Sequence, residues 1–343
     1  MFRQRGFSFL DLLIGLVISL VGMLAVSRVM VSFTQQRNTI AQTAEAQSNG
    51  TMALYLIERD LGQAGYGMKF LSNCGSINWY QLAGGCTTTC THTLSPLPFS
   101  IAFGGAASDA ITVQYANTTS GAPATTISID QTAWANPYDV SSSVGFDNNT
   151  DMIAVNAGGV CTMGQVSAVN KPLLKISHDS ASIYNPASVP PAGAGGGWNL
   201  AHKDDVLVNL GNFVSKTYSV SGTGNLQAAG FGQASSLLVD GIVFMKAQYG
   251  LDTNGDQQVD QWVTGATVVA TNQVLAVRVG IVARSPLYER DPINAPATLT
   301  VLPAPPLGPA TAVTYTLPVD GAGQVHYRYK AYNTIIPLRN AIW

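Results

Sequence analysis

The residues best arranged for chemistry are oxygen donors. Between positions 252 and 260 the chain reads Asp252-Thr253-Asn254-Gly255-Asp256-Gln257-Gln258-Val259-Asp260. Side-chain oxygens at alternate positions of a short loop suit a hard cation such as calcium, which takes oxygen ligands rather than nitrogen or sulfur. Asp252, Asn254, Asp256 and Asp260 would supply side chains, and Gln258 its backbone carbonyl. The rival reading is a turn whose Asp and Asn side chains bond their own backbone, joining a strand that ends at Tyr249 to the next one. The cysteines Cys74, Cys86, Cys90 and Cys161 form a second group. An even count suits disulfides in an oxidising compartment, and three connectivities are open. Zinc is the competing use, but the close pair is spaced CxxxC rather than CxxC, and His92 alone lies nearby. Each bridge would stabilise a loop-rich region by roughly 2–4 kcal/mol.

Nucleophilic or acid–base chemistry needs a convergent set of side chains, and the sequence offers none. His92, His178, His202 and His326 fall in no nucleophile or zinc motif, and GxSxG, GxxxxGK[ST] and the dinucleotide fingerprint do not occur. His202-Lys203-Asp204-Asp205 reads as a polar turn. The glycines at 193–197 lack the following helix that a phosphate cradle needs. A net charge of −2 and a pI near 6.0 give no basic field, which excludes nucleic acid as a partner. The aromatic–basic alternation from Tyr327 to Asn340 is the period of an amphipathic final strand rather than a base-stacking platform. The chain is therefore read as non-enzymatic.

One carboxylate stands where charge is costly. A short basic start, with Arg3 and Arg5, precedes residues 7–26, which are apolar apart from Asp11 and two serines. About twenty such residues at ~1.5 Å each match a ~30 Å hydrocarbon core. The arginines place the N-terminus in the cytoplasm and the rest of the chain outside. A secretory signal would have a shorter apolar core and a small-residue cleavage site, which Ala25-Val26-Ser27 matches poorly. A carboxylate inside such a helix costs several kcal/mol unless it is paired, so Asp11 is read as functional. Interfacial snorkelling near the helix start is the plain alternative.

The stretch Gly6-Phe7-Ser8-Phe9-Leu10-Asp11 resembles the type IV prepilin cleavage motif. That resemblance implies cleavage after Gly6, methylation of the new N-terminal Phe7, and an acidic fifth residue, Asp11. A carboxylate there neutralises the Phe7 amine of the same or a neighbouring subunit and favours one axial register. The family usually carries Glu at this place, so Asp11 keeps the charge and shortens the reach. Glu58-Arg59-Asp60-Leu61 followed by Ala64-Gly65-Tyr66 resembles the helix end of PilW-like minor pilins. The stretch from Tyr249 to Asp260 resembles the YGxDTxGDxxVD segment of their heads, and Leu338-Arg339-Asn340 resembles their ending. The acidic loop is also similar to the nine-residue calcium loops of EF-hand-like and dockerin-type sites. It departs from them in having Gly255 at the fourth position and Val263 where a bidentate Glu belongs, so a weak affinity of the extracellular-module kind is expected. Residues 70–235 resemble no family pattern.

The elements that must position these groups follow from composition and periodicity. Only 10% of residues are charged, 46% are hydrophobic, and there are 34 glycines and 17 prolines, as in strand-and-loop extracytoplasmic proteins. The expected class is α+β and pilin-like, a long N-terminal helix on a large β-rich periplasmic head. The expected parts are a cleaved leader at 1–6, a transmembrane half-helix at 7–27, an amphipathic half at 28–65 and the head at 66–343. Ile40, Ala44, Thr51, Leu54, Ile57 and Leu61 keep a helical spacing and predict the face turned to the head. Gly50 predicts a kink, and Gly62, Gly65 and Gly67 an end, to a helix of about 80 Å. Strands are predicted at 99–103, 110–115, 125–129, 152–155, 173–176, 206–210, 213–220, 237–249, 274–283, 312–317 and 325–337. Proline-rich loops are predicted at 186–198 and 286–309.

The family resemblance implies a minor pilin in a priming or tip complex, supporting pilus biogenesis, adhesion and twitching motility. Its implied partners are other minor pilins, the major pilin, the prepilin peptidase, the inner-membrane assembly machinery and a tip adhesin. It implies a single inner-membrane pass before assembly and a place in the fibre afterwards. The alternatives are a minor pseudopilin of a type II secretion system and a fibre-displayed adhesin or carbohydrate-binding head.

Overall fold

The structure is a computed structural model and describes residues 9–71, 74–81, 91–118, 124–148, 152–157, 160–180, 182–186, 199–267, 273–306 and 308–340. One helix, α1, runs unbroken over Phe9–Leu61 and is about 80 Å long at ~1.5 Å per residue. Its apolar side chains from Phe9 to Phe33 are exposed. An 18-residue window near its N-terminus has mean hydropathy 2.3 and none of it is buried, so the helix is long and apolar enough to cross a membrane.

Further along, one face turns inward: Gln42, Ala46, Gly50, Ala53, Leu54, Ile57, Asp60 and Leu61 are buried. The expected inner face was half right. Leu54, Ile57 and Leu61 lie in the core, whereas Ile40, Ala44 and Thr51 face outward. Before Leu54 the inner stripe runs through the small residues Ala46, Gly50 and Ala53, which carry little hydrophobic signal but bring the helix close to the sheet. A Cβ at Gly50 would stand 2.5 Å from the ring of Tyr332, and the helix passes through Gly50 without a break. Gly50 therefore serves close approach, and the expected kink is corrected. Gly65 and Gly67 beyond the helix end have positive φ, 80° and 71°, which glycine adopts without steric cost.

The helix lies on an antiparallel sheet of four strands ordered Gln261–Thr264, Ile242–Leu251, Val274–Arg284 and Tyr329–Pro337. Alternation along the long strand Val274–Arg284 sends Val277, Val279, Ile281 and Ala283 into the core with the helix residues. A five-stranded sheet, ordered Ser235–Val239, Leu226–Ala229, Val214–Val220, Ala110–Tyr115 and Phe99–Ala102, closes the same core with Tyr218, Ile111 and Phe99. Lys246 and Asp109, both buried, join the two sheets through a 2.7 Å ion pair. The carboxylate of Asp109 also accepts the amides of Gly104 and Ala247. On the outer face Thr298–Leu302 pairs with Val313–Thr316 and packs against Phe244 and Val282. A strand thus lies inside the expected loop at 286–309. The expected strand at 237–249 is two strands, divided at Gly241, whose φ is 72°.

A six-stranded sheet lies apart from this core, ordered Thr91–Leu94, Ile77–Tyr80, Val160–Gln165, Met152–Ala157, Val206–Gly211 and Ala124–Thr126. Apolar clusters cover both of its faces: Met152, Ala154 and Val208 point to one, Ile153, Val155 and Leu207 to the other. Cys74 is bridged to Cys161 with a Cα separation of 5.6 Å, which fixes the parallel pairing of Ile77 with Cys161. Cys86, Cys90 and the loop at 187–198 lie outside the described residues.

Replacing Gly50 by Ala sets about 1 kcal/mol of helix propensity against an overlap that costs about 1–3 kcal/mol. We expect Gly50→Ala to lower the stability of the full chain in denaturant unfolding, and Tyr332→Leu to recover part of the loss. Stabilisation by Gly50→Ala alone would remove the close-approach argument. Cys161→Ala should cost roughly 2–4 kcal/mol in the same assay.

Candidate functional site

The junction of helix and head holds a buried carboxylate. Asp60 sits in the last turn of α1 at 0% exposure. Lys216 Nζ and Tyr218 Oη each donate to its Oδ2 at 2.6 Å, and Arg59 Nε donates to its Oδ1 at 3.1 Å. Lys216 and Tyr218 are two apart on Val214–Val220, so strand alternation points both at the helix. Tyr218 Oη also reaches the Leu56 carbonyl at 3.3 Å. Burial pushes the Asp60 carboxyl up, but the bonds from Lys216 and Tyr218 and the Lys216 charge outweigh it and hold the group below the usual carboxylate range. Burial, then Asp60 itself, drives the Tyr218 hydroxyl far upward, so Tyr218 remains a donor. The arrangement clamps the end of the helix to the sheet.

In the sequence Asp60 stands out only as part of a family-like helix end. Two signals pointed to more. Asp60 falls three residues after Ile57 on the buried stripe, and it is an acid in the last turn, where the helix dipole disfavours negative charge. An acid in that place requires cationic or hydroxyl partners from another element.

Gly6 and Phe7 lie outside the described residues. Asp11 lies in the first turn of α1. The acidic loop is a nest of side-chain-to-backbone bonds. Asp252 Oδ1 accepts the amides of Asn254 and Gly255 at 3.2 and 2.6 Å, and its Oδ2 accepts that of Gln257 at 2.8 Å. Asp260 Oδ2 accepts the amide and hydroxyl of Thr253 at 2.7 and 2.9 Å. These bonds, the amide first, hold the Asp260 carboxyl below its usual range. Asn254 and Asp256 accept the amides of Asp256 and Gln258. The donor chemistry suits a hard cation, but no three Asp, Glu, His or Cys side chains converge as metal ligands among the described residues. Lone pairs that a cation would use are shared with the amides of the loop.

Two histidines are structural. His178 is stacked on Tyr138 at 4.2 Å and meets Gln131 Nε2 at 3.1 Å, and burial pushes it down to about 4. His326 faces two acceptors, the Glu289 carbonyl at 2.8 Å and Asp320 Oδ2 at 3.1 Å. Those bonds raise its pKa, the carbonyl contributing most.

Removing Asp60 leaves the buried Tyr218 hydroxyl and the part-exposed Lys216 ammonium without their acceptor, at about 1–3 kcal/mol. We expect Asp60→Ala to destabilise the chain by that order, and the Asp60→Leu, Lys216→Met pair to lose much less. Because the folded carboxyl is depressed, its stabilisation is present above the unfolded pKa near 3.8 and is lost as pH falls through the folded value. Wild-type stability should therefore drop more steeply with acid than that of the double variant, as read from denaturant midpoints across pH 5 to about 2.

Residues 216–340 match the family model of PilW, the type IV pilus-assembly protein W. The match covers about a third of the chain and takes in Lys216, Tyr218, the acidic loop and the sheet that carries the helix. No curated protein and no solved structure matches. Over its C-terminal third the chain is thus similar to PilW, and that likeness supports a role in type IV pilus assembly.

Proposed function

We propose that the protein is a minor pilin that enters a priming or tip complex of a type IV pilus. The observation that carries this reading is a single continuous helix. Its apolar end is covered by nothing in the head, and its other end is clamped to the sheet whose sequence resembles PilW. Lipid covers the exposed segment before assembly, and neighbouring helices cover it in the fibre. The outward stripe of Ile40, Met52 and Tyr55, at 66%, 48% and 58% exposure, extends that apolar surface past the membrane. A lone soluble subunit has no use for it.

In this reading the peptidase cuts after Gly6, Phe7 becomes the methylated N-terminus, and Asp11 pairs with an amine as subunits dock. The subunit waits in the inner membrane with its head in the periplasm. It then joins other minor pilins and the major pilin through the assembly machinery, and the fibre supports adhesion and motility. The decisive measurement is the amount of fibre sheared from cells lacking the gene. Loss of fibre, restored by wild type but not by Gly6→Val or Asp11→Ala, is the expected result. Normal fibre would reassign the subunit to a secretion pseudopilus or to an accessory displayed on the fibre.

We also propose that the 252–260 loop takes calcium weakly, with Asp252, Asn254, Asp256, Asp260 and the Gln258 carbonyl as ligands. Competition from the amide bonds of the loop places the affinity in the range of extracellular modules, roughly 10⁻⁴ to 10⁻³ M. Calcium titration of the full chain in detergent should show a transition that Asp256→Ala removes. Equal binding by both chains would delete the site.

A further inference from the structure

Two contacts fix the direction of the last strand against the helix. Gly50 meets Tyr332, and Gly65 meets the Asn340 carbonyl, so the strand Tyr329–Pro337 runs parallel to α1. The chain before Tyr329, and the chain after Arg284 that pairs with it, therefore lie at the end of the head nearest the apolar half of the helix. Backbone bonds continue irregularly in that direction, ending in an isolated bridge between Ile293 and Val325. Ser285, Glu289 and Ile293 donate their amides to the carbonyls of Arg328, His326 and Val325 in turn. This pole exposes Leu287 and Tyr288 at 57% each and Val319 at 56%.

Charge on the same pole is muted. Arg328 holds the Glu289 carboxylate through two nitrogens, at 2.6 and 3.1 Å. His326 faces the Asp320 carboxylate, and the Tyr288 ring stacks on His326 at 4.5 Å. Arg290 and Asp291 are exposed charges of opposite sign beside them. Beside the helix the pole also opens a mostly apolar cavity of about 260 Å³, lined by Ala46, Leu299 and Leu317 with Lys330 among its polar residues.

We propose that this pole rests on the bilayer surface while the subunit is anchored, with Leu287, Tyr288 and Val319 in the interfacial layer. The inference depends on the helix spanning the membrane as argued above. Ten helical residues separate Phe33 from Thr43 at the cavity, about 15 Å of rise. The chain from Tyr329 back to His326 bends at Tyr327 and recovers at most ~10 Å of that. At least about 5 Å remains, against a headgroup layer of roughly 5–8 Å.

A membrane-spanning helix is tilted by about 20° on average. The direction of tilt is set by interfacial anchors, and a Tyr flanked by Leu and Val on one side of the helix is such an anchor. The bilayer thus holds the head leaning on one face, which leaves the opposite side of α1, with Ile40 and Tyr55, turned to incoming subunits.

The test uses the full chain in nanodiscs of phosphatidylethanolamine and phosphatidylglycerol carrying lipids brominated high on the acyl chain. Three variants, Y288W, Y66W and L20W, are read against the wild-type tryptophan background. Quenching of the added Y288W emission by about twofold is expected for a probe in the interfacial layer, with none for Y66W at the far pole. Leu287→Asp with Val319→Asp should abolish the Y288W quenching at an unchanged near-ultraviolet CD spectrum. Quenching of L20W without quenching of Y288W overturns the inference and keeps the membrane span. Absence of quenching in L20W as well overturns the span and the inference together.

Discussion

A carboxylate without water must find donors, and Asp60 finds them in one arrangement. Lys216 and Tyr218 stand two residues apart on a strand and reach the same oxygen of the last helical turn. Sliding the helix by one turn moves that oxygen about 5.4 Å and leaves Asp60 and Tyr218 buried without these partners. The close contact of Gly50 with Tyr332 sets the same register about three turns earlier. Burial of an ion pair adds little net stability compared with an apolar packing; its effect here is to make one axial position far better than its neighbours. With the register fixed, the distance from the apolar helix end to the head is fixed too, since the helix between them is unbroken.

That rigidity gives the two ends of the helix different physical roles. The apolar end is soluble only in lipid or against other helices. The clamped end carries the head as a rigid load. A force or a displacement applied at the membrane reaches the head without loss in a hinge, because no kink, proline or π-bulge intervenes. The Lys246–Asp109 pair continues the same logic beyond the helix, joining the helix-bearing sheet to its neighbour through a fully bonded buried carboxylate.

Much of this was legible in the sequence because its signals are strong there. The long apolar run, the glycines after Leu61 and the β-branched strands at 110–115, 206–210 and 274–283 each express a local preference that the fold respects. What failed has a common cause. Gln42, Ala46, Gly50 and Ala53 are buried by proximity rather than by hydrophobicity, so a periodicity of apolar residues selected Ile40, Ala44 and Thr51 instead. Thr298–Leu302 was hidden among prolines, and Ile77–Tyr80 depends on a disulfide and a parallel partner 84 residues away. Asp60 was visible as an odd acid at a helix end, but its partners lie 156 and 158 residues downstream, where no local pattern points.

The placement of the six-stranded lobe explains why the family likeness stops where it does. Ala110–Tyr115 and Val214–Val220 are hydrogen-bonded neighbours in the five-stranded sheet, and the chain between them builds most of the lobe. Asn117 bridges Gly211 at its base, so the excursion leaves and returns at one point, as a hairpin loop does. Closing a longer loop there costs little more than closing a short one, about 0.6 kcal/mol per doubling of length, provided the inserted chain forms its own core. This one does: its sheet is covered on both faces, and the Cys74–Cys161 bridge ties the segment after the helix into it. The strands that grip the helix need not change when such a lobe changes. The match to PilW begins at Lys216, two residues into the strand on which the chain returns from the lobe, and it begins with the residue that holds Asp60.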